Sequence, residues 1–152
     1  MRTARLIPGF GLWALGFGRW LKCCSRALMR DFRELLTYQL ADALVLAIYE
    51  ATRPFPQQEQ YGLTRQLRRA AVSVPTNIVE GSARPTTADY VHFLNIAIGS
   101  SVETAYLVGL AGRLALLDES KSTALQQRYF ELSRRLQSQV AALNARTRGT
   151  RA

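Results

Sequence analysis

Between Tyr90 and Gly112 the chain carries a single formal charge, that of Glu103. Phe93, Ala97, Ser100, Thr104, Leu107, Ala111 and Leu114 fall at three- and four-residue steps, and Leu94, Ile98, Val102 and Ala105 make a second seam beside them. One apolar stripe is enough for a helix lying on a surface, whereas a helix apolar on nearly all sides has to be covered on most of them. This segment therefore demands neighbours on two flanks, and in so small a domain it also predicts contact with a second subunit. Glu103 and the interspersed polar residues argue against a membrane span.

The flanking sequence supplies the neighbours. From Asp31 the pattern is helical: Leu36, Leu40, Ala43 and Ala47 form a stripe that Leu44 and Ile48 widen, and Asp31 and Glu34 sit where a first turn favours acids. Arg53-Pro54 ends this helix, and Pro56 suits the first position of the next. In the second helix Leu63, Leu67, Ala70, Val74 and Ile78 make the apolar face, and Gly81, with Ser82 and Pro85, reads as its stop. A third helix starts at Thr86 or Thr87 with Asp89 in capping position. The fourth starts near Asp118 or Ser120 and holds Leu125, Tyr129, Leu132, Leu136, Val140 and Leu143 on one face before fraying from Asn144. No alternating β-branched run is present, and short connections between long helices imply antiparallel neighbours. The expected fold is all-α, an antiparallel up-down four-helix bundle over 31–145, with a flexible basic extension at 1–30 and a basic tail at 146–152.

The formal charge of +9 on 152 residues is unevenly placed. Residues 1–30 hold six basic groups and no acid, the tail holds Arg146, Arg148 and Arg151, and 31–145 balances 11 basic against 11 acidic groups. High overall basicity is thus weak evidence for an electrostatic footprint on the bundle itself. Leu6–Gly18 is uncharged but interrupted by Pro8 and several glycines and lacks a cleavage site, so the extension reads as an arm or as sequence upstream of the true start. Cys23 and Cys24 are adjacent, with no second pair for a disulfide framework or a zinc site, which predicts a reducing, cytoplasmic setting.

Catalytic chemistry finds little support. His92 is the only histidine, so Asp89-x-x-His92 is half of a di-metal carboxylate motif at best, and no base is available for a serine or cysteine nucleophile. Glu80 and Glu103 form a conceivable acid–base pair across the bundle, although buried carboxylates more commonly serve structure. No phosphate-cradling glycine loop occurs. The expectation is a protein without enzymatic activity, cofactor or metal.

The stretch from Gln66 to Gly81 breaks several local rules. Gln66, Arg69, Ser73, Asn77 and Glu80 line a polar stripe, and Pro75 sits inside the helix with no N–H for the carbonyl of Ala71, which predicts a kink or local rearrangement. Asn77 and Glu80 are expected to be at least half-buried, satisfying backbone groups or a neighbouring helix. Arg65, Arg68 and Arg69 cluster on one turn, and Arg84 follows the helix end. Arginines so placed either contact successive phosphates or form a solvated face paired with acids such as Glu59 and Glu80.

The motif Phe55-Pro56-x-x-Glu59-x-x-Gly62-Leu63-x-x-Gln66-Leu67-Arg68-Arg69-Ala70, followed by Ser73-Val74-Pro75-x-Asn77-Ile78-x-Glu80-Gly81, resembles the signature of the 23S rRNA intervening-sequence protein family. Phe93-Leu94-x-x-Ala97-x-x-Ser100-x-x-Glu103 fits the same pattern, and the resemblance spans about Asp31 to Leu143. Val79 stands where the family commonly has alanine. The resemblance implies a left-handed bundle assembling into a homopentameric ring. It also implies kinship with the accessory variability proteins of diversity-generating retroelements, which bind nucleic acid and a reverse transcriptase. The family has no established catalytic activity. The leading expectation is an oligomeric bundle, with no membrane association, that binds RNA or DNA through Arg65, Arg68, Arg69 and Arg84. The alternative is an oligomeric protein–protein adaptor. Gln66, Ser73, Pro75, Asn77, Glu80, Gly81 and Glu103 form the structural motif.

Overall fold

A computed structural model describes residues 31–149; the basic extension with Cys23 and Cys24, and the last three residues of the tail, lie outside the described residues. Four helices, α1 (Leu36–Ala51), α2 (Leu63–Ser82), α3 (Thr87–Arg113) and α4 (Glu119–Gly149), account for the fold, and no strand occurs among the described residues. Each helix packs on the next in sequence and α1 closes against α4, which makes an up-down bundle. The most extensive seams are α2–α3 and α3–α4.

α3 is therefore the central element, as its composition demanded. Tyr90, Leu94, Ala97, Ala105, Val108 and Ala111 are buried in the core. By length and hydropathy alone α3 could cross a membrane, but part of its apolar surface is buried against α2 and α4 in the bundle core. Close approach on both flanks depends on small side chains. A methyl group on Gly81 of α2 would lie 2.8 Å from Phe93 Cβ, and one on Gly112 of α3 would lie 2.6 Å from Ser122 Oγ. Across the α3–α4 seam buried hydroxyls take over the bonding. Ser122 Oγ donates to the Val108 carbonyl at 3.1 Å, Ser101 Oγ donates to the Tyr129 carbonyl at 3.0 Å, and Ser133 Oγ donates to Ser101 Oγ at 2.9 Å. At one end of the bundle, Gln139 links α4 to its neighbours, accepting from Thr37 Oγ1 of α1 at 3.1 Å and donating to Tyr90 Oη of α3 at 2.8 Å.

Several boundaries differ from those the sequence predicts. Asp31 caps a separate 3₁₀ turn, Phe32–Glu34, and α1 begins only at Leu36. The core face of α1 is Thr37, Ala41, Leu44 and Ile48, whereas Leu36 is 70% exposed and Ala43 is exposed. The run from Leu36 to Ala51 is so uniformly apolar that two adjacent faces satisfy the helical period, and packing against α2 and α4 selects one. Pro56 caps a second 3₁₀ turn, Gln57–Glu59, rather than opening α2. Gly81 does not stop α2: the helix runs to Ser82, and no glycine among the described residues has positive φ. Its role is to let Tyr90 and Phe93 approach. α4 does not fray at Asn144 but continues to Gly149, through Ala145 and two arginines of high helix propensity, with Arg146 and Arg148 complementing the C-terminal dipole.

The α3–α4 connection closes on a six-residue C-terminal motif. Leu116 N–H reaches back to the Ala111 carbonyl at 3.0 Å and Ala115 N–H to the Gly112 carbonyl at 2.9 Å, the pairing of a Schellman cap. Its left-handed position is occupied by Ala115, with φ of 54°, where glycine avoids the Cβ clash. Ala115→Gly is expected to stabilise the fold by about 1 kcal/mol, read as a higher midpoint in urea at an unchanged slope.

Candidate nucleic-acid interface

α2 gains its register from a buried face of Leu67, Ala70, Ala71, Val74, Pro75 and Ile78. This fixes where its polar stripe emerges. Gln66 Nε2 donates to Glu103 Oε1 of α3 at 2.6 Å, and Ser73 Oγ shares a hydrogen bond of 2.9 Å with Ser100 Oγ. The stripe repeats every seven residues, and a seven-residue repeat drifts by about 20° per heptad on a straight helix. By Glu80 it has turned away from α3. Glu80 is exposed, with no side-chain bond among the described residues, contrary to the expected burial. At its level α3 offers Phe93, met through Gly81. Glu80 and Glu103 do not form a pair, being separated along α2 by the 14 residues from Gln66 to Glu80, about 21 Å of helix.

Pro75 is buried and α2 continues through it. Side chains reinforce the turn before the missing N–H. Asn77, half-buried, donates from Nδ2 to the Ser73 carbonyl at 2.7 Å and to Ser73 Oγ at 3.1 Å, and Thr76 Oγ1 donates to the Val72 carbonyl at 2.8 Å. The proline-bearing segment is thus an internally bonded piece of helix facing α3 through Ser73.

The arginines separate into three kinds. Arg68 is half-buried and serves the fold. Its Nε donates to Thr52 Oγ1 at 2.8 Å, and its guanidinium lies 4.8 Å from the Tyr49 ring centroid. Thr52 is the C-cap of α1, and its own hydroxyl donates to the Ile48 carbonyl at 2.8 Å. Arg68 therefore clasps α2 to the end of α1. Arg84 stands beyond the other end of α2, over the Phe93 ring at 4.5 Å. It is 19 residues from Arg65, about 28 Å at helical rise, and joins no common patch with the other three. Arg65 and Arg69 are exposed, and neither has a carboxylate within 4.0 Å among the described residues. Arg69 donates to Gln66 Oε1 at 3.1 Å, so the Gln66 amide is held between Arg69 and Glu103.

The sequence reading missed two tyrosines. Tyr49 and Tyr61 border a depression between α1 and α2 that also takes in Thr64, Arg65, Arg68 and Arg69. Tyr61 lies in the turn before α2, so helical spacing carried no signal for it. The acids named as alternative partners are engaged elsewhere or distant: Glu59 Oε2 accepts from the Leu63 N–H at 3.4 Å. His92 lies edge-on to Phe93, and Asp89 is held by Thr86, whose Oγ1 accepts from the Asp89 N–H at 3.0 Å.

A family model described as 23S rRNA-intervening sequence protein matches residues 33–138. A crystal structure of a protein of unknown function from the S23 ribosomal protein family of Bacteroides thetaiotaomicron superposes with a TM-score of 0.63 at 21% identity, covering 69% of this chain and 98% of that one. At that identity the likeness concerns the fold. No curated protein matches.

The division among the arginines has a measurable consequence. Arg68→Ala should lower stability by about 1–2 kcal/mol, since it removes a charge-assisted bond to Thr52 and the guanidinium's contact with the Tyr49 ring, and Arg68→Lys should not restore it in full because an ammonium lacks the guanidinium's fixed fork of donors. Arg65→Ala and Arg69→Ala should stay within about 0.5 kcal/mol of the wild type in chemical denaturation.

Proposed function

The chain belongs to the 23S rRNA-intervening sequence protein family, and from that premise and the geometry of α2 we propose a non-enzymatic, self-associating bundle that binds RNA or DNA through Arg65 and Arg69. The observation that carries the proposal is the pair itself: two exposed guanidiniums one turn apart with no carboxylate partner among the described residues. Unpaired arginines on one helix ridge are suited to successive phosphates, a contact driven by counterion release. Arg68 supports this site from behind by fixing α2 on α1. Arg84 is a separate, peripheral contact at the α2–α3 turn.

Self-association rests on the outer arc of α3. Ile96, Val102, Tyr106 and Leu114 are exposed there, Tyr106 at 59%, interrupted by His92, Asn95 and Glu103. A bundle helix with large apolar groups on its solvent side is suited to a partner, and the family's ring provides a second copy of the same chain. The number of subunits we propose is five. Repetition around a ring would convert a two-arginine patch into a continuous basic surface.

Both halves are open to direct measurement. In fluorescence anisotropy with a labelled oligonucleotide, log affinity should fall linearly with log salt, and Arg65→Ala/Arg69→Ala should reduce the slope by about 1.4–1.8 while weakening binding across sequences. Wild-type protein freed of nucleic acid that binds no RNA or DNA at low salt would rule out the proposal and favour the adaptor reading.

Light scattering should give close to five times the chain mass of 17.0 kDa. Tyr106→Glu, which places a charge in the α3 contact, should release smaller species without loss of helicity. A wild-type monomer would exclude the role given to α3.

A further inference from the structure

Tyr61 has no evident task in the fold. It is 84% exposed, in the turn before α2, and makes no ring or cation contact among the described residues. It stands nevertheless at the junction of two adjoining depressions. One runs toward Tyr49, Thr64 and Val72, the other toward Gly62 and Gln66, and both are bordered by Arg65 and Arg69. Thr64, also in the wall of the first, buries its hydroxyl without a hydrogen-bond partner among the described residues. An open tyrosine ring flanked by unpaired guanidiniums combines a stacking surface with phosphate donors.

We infer that this site takes single-stranded nucleic acid, with an unpaired base stacked on Tyr61 and the flanking phosphates held by Arg65 and Arg69. The inference rests on the nucleic-acid reading above and narrows it. A duplex conceals its base faces and offers only groove edges and phosphates, which would give Tyr61 nothing to stack on. A single strand exposes both a base face and a phosphate at every nucleotide. Two niches sharing Tyr61, Arg65 and Arg69 fit two successive nucleotides, one on each side of the ring. The ring selects unpaired bases by shape, and because every base has a π-face the site is tolerant of sequence.

The test uses the full chain and four labelled 12-nucleotide probes of one mixed sequence: single-stranded RNA, single-stranded DNA, the DNA duplex, and a single strand of abasic sites that keeps the phosphates. The expected result is tighter binding of the base-bearing single strands than of the duplex or the abasic strand, by about tenfold or more. Tyr61→Ala should weaken binding of the base-bearing strands about 5- to 150-fold, so that their advantage over the abasic strand collapses, and Tyr61→Phe should recover it. Helicity and thermal melting of Tyr61→Ala report that its fold is kept. If abasic or duplex DNA binds as tightly as the single strands, or if Tyr61→Ala leaves the base-bearing advantage intact, the stacking role is wrong while phosphate binding by the arginines stands. If none of the four probes binds at low salt, the nucleic-acid reading itself fails, and this inference with it.

Discussion

α3 can lie between α2 and α4 only because the groups facing each neighbour are small or absent. Gly81 admits Tyr90 and Phe93 on one flank, while Gly112, Ser101, Ser122 and Ser133 bring the backbones together on the other. Close approach creates a difficulty as well as a contact, because it buries hydroxyls that need partners. The serines resolve this by bonding carbonyls of the facing helix, Ser122 to Val108 and Ser101 to Tyr129. Where no partner is in reach the consequence is visible. Tyr129 buries its hydroxyl without a bond among the described residues, and burial pushes that phenol well above its ordinary pKa. The tyrosine there contributes as a large ring filling the core, an aromatic whose polar atom is a liability.

From this constraint the polar stripe of α2 follows. Since Gly81 sets the separation at one end of the α2–α3 seam, Ser73 and Ser100 come within hydrogen-bond distance near its middle, and Gln66 reaches Glu103 near the other end. Pro75 is tolerated inside this seam because it lies on the buried side, where its ring packs, while Asn77 and Thr76 bond carbonyls of the preceding turn. The polar stripe of α2 is thus spent on bonds to α3 at Gln66 and Ser73 and within α2 at Asn77, with the functional candidates on the adjoining face.

The legible parts of the sequence were those where a single period had one solution. α4 alternates apolar and charged residues so sharply that Leu125, Tyr129, Leu132 and Leu136 could only face inward, and they do. The central place of α3 followed from its lack of charge. α1 was ambiguous for the opposite reason, since a helix rich in leucine and alanine on several sides leaves its register to the neighbours. Arg68 and Arg69 are adjacent in sequence and similar in chemistry, yet one clasps Thr52 and the other faces solvent. Only the rotation of α2 against α1 distinguishes them. Tyr61 was illegible because an exposed aromatic in a turn has no pattern to violate until the surface around it is known.

Residues 31–145 balance 11 acids against 11 bases, which left open whether the arginines on α2 are paired with neighbouring acids. The positions of the carboxylates explain why they are not. Asp31 accepts from the Arg33 N–H, Glu59 from the Leu63 N–H, and Asp118 from the Ser120 and Lys121 N–H groups. These acids close helix starts, where backbone donors lack partners and the dipole favours negative charge. At Asp118 the Ser120 hydroxyl, and then the Lys121 N–H, hold the carboxyl below its ordinary pKa. The stabilisation is present above that ordinary value and fades as pH falls through the lowered one. With acids committed to caps, Arg135–Glu131 is the one ion pair within 4.0 Å among the described residues. Charge neutrality of the bundle is thus a sum over groups that do not meet. Asp31, Glu59 and Asp118, spent on helix and turn starts, are not available to Arg65 and Arg69, which have no carboxylate within 4.0 Å among the described residues.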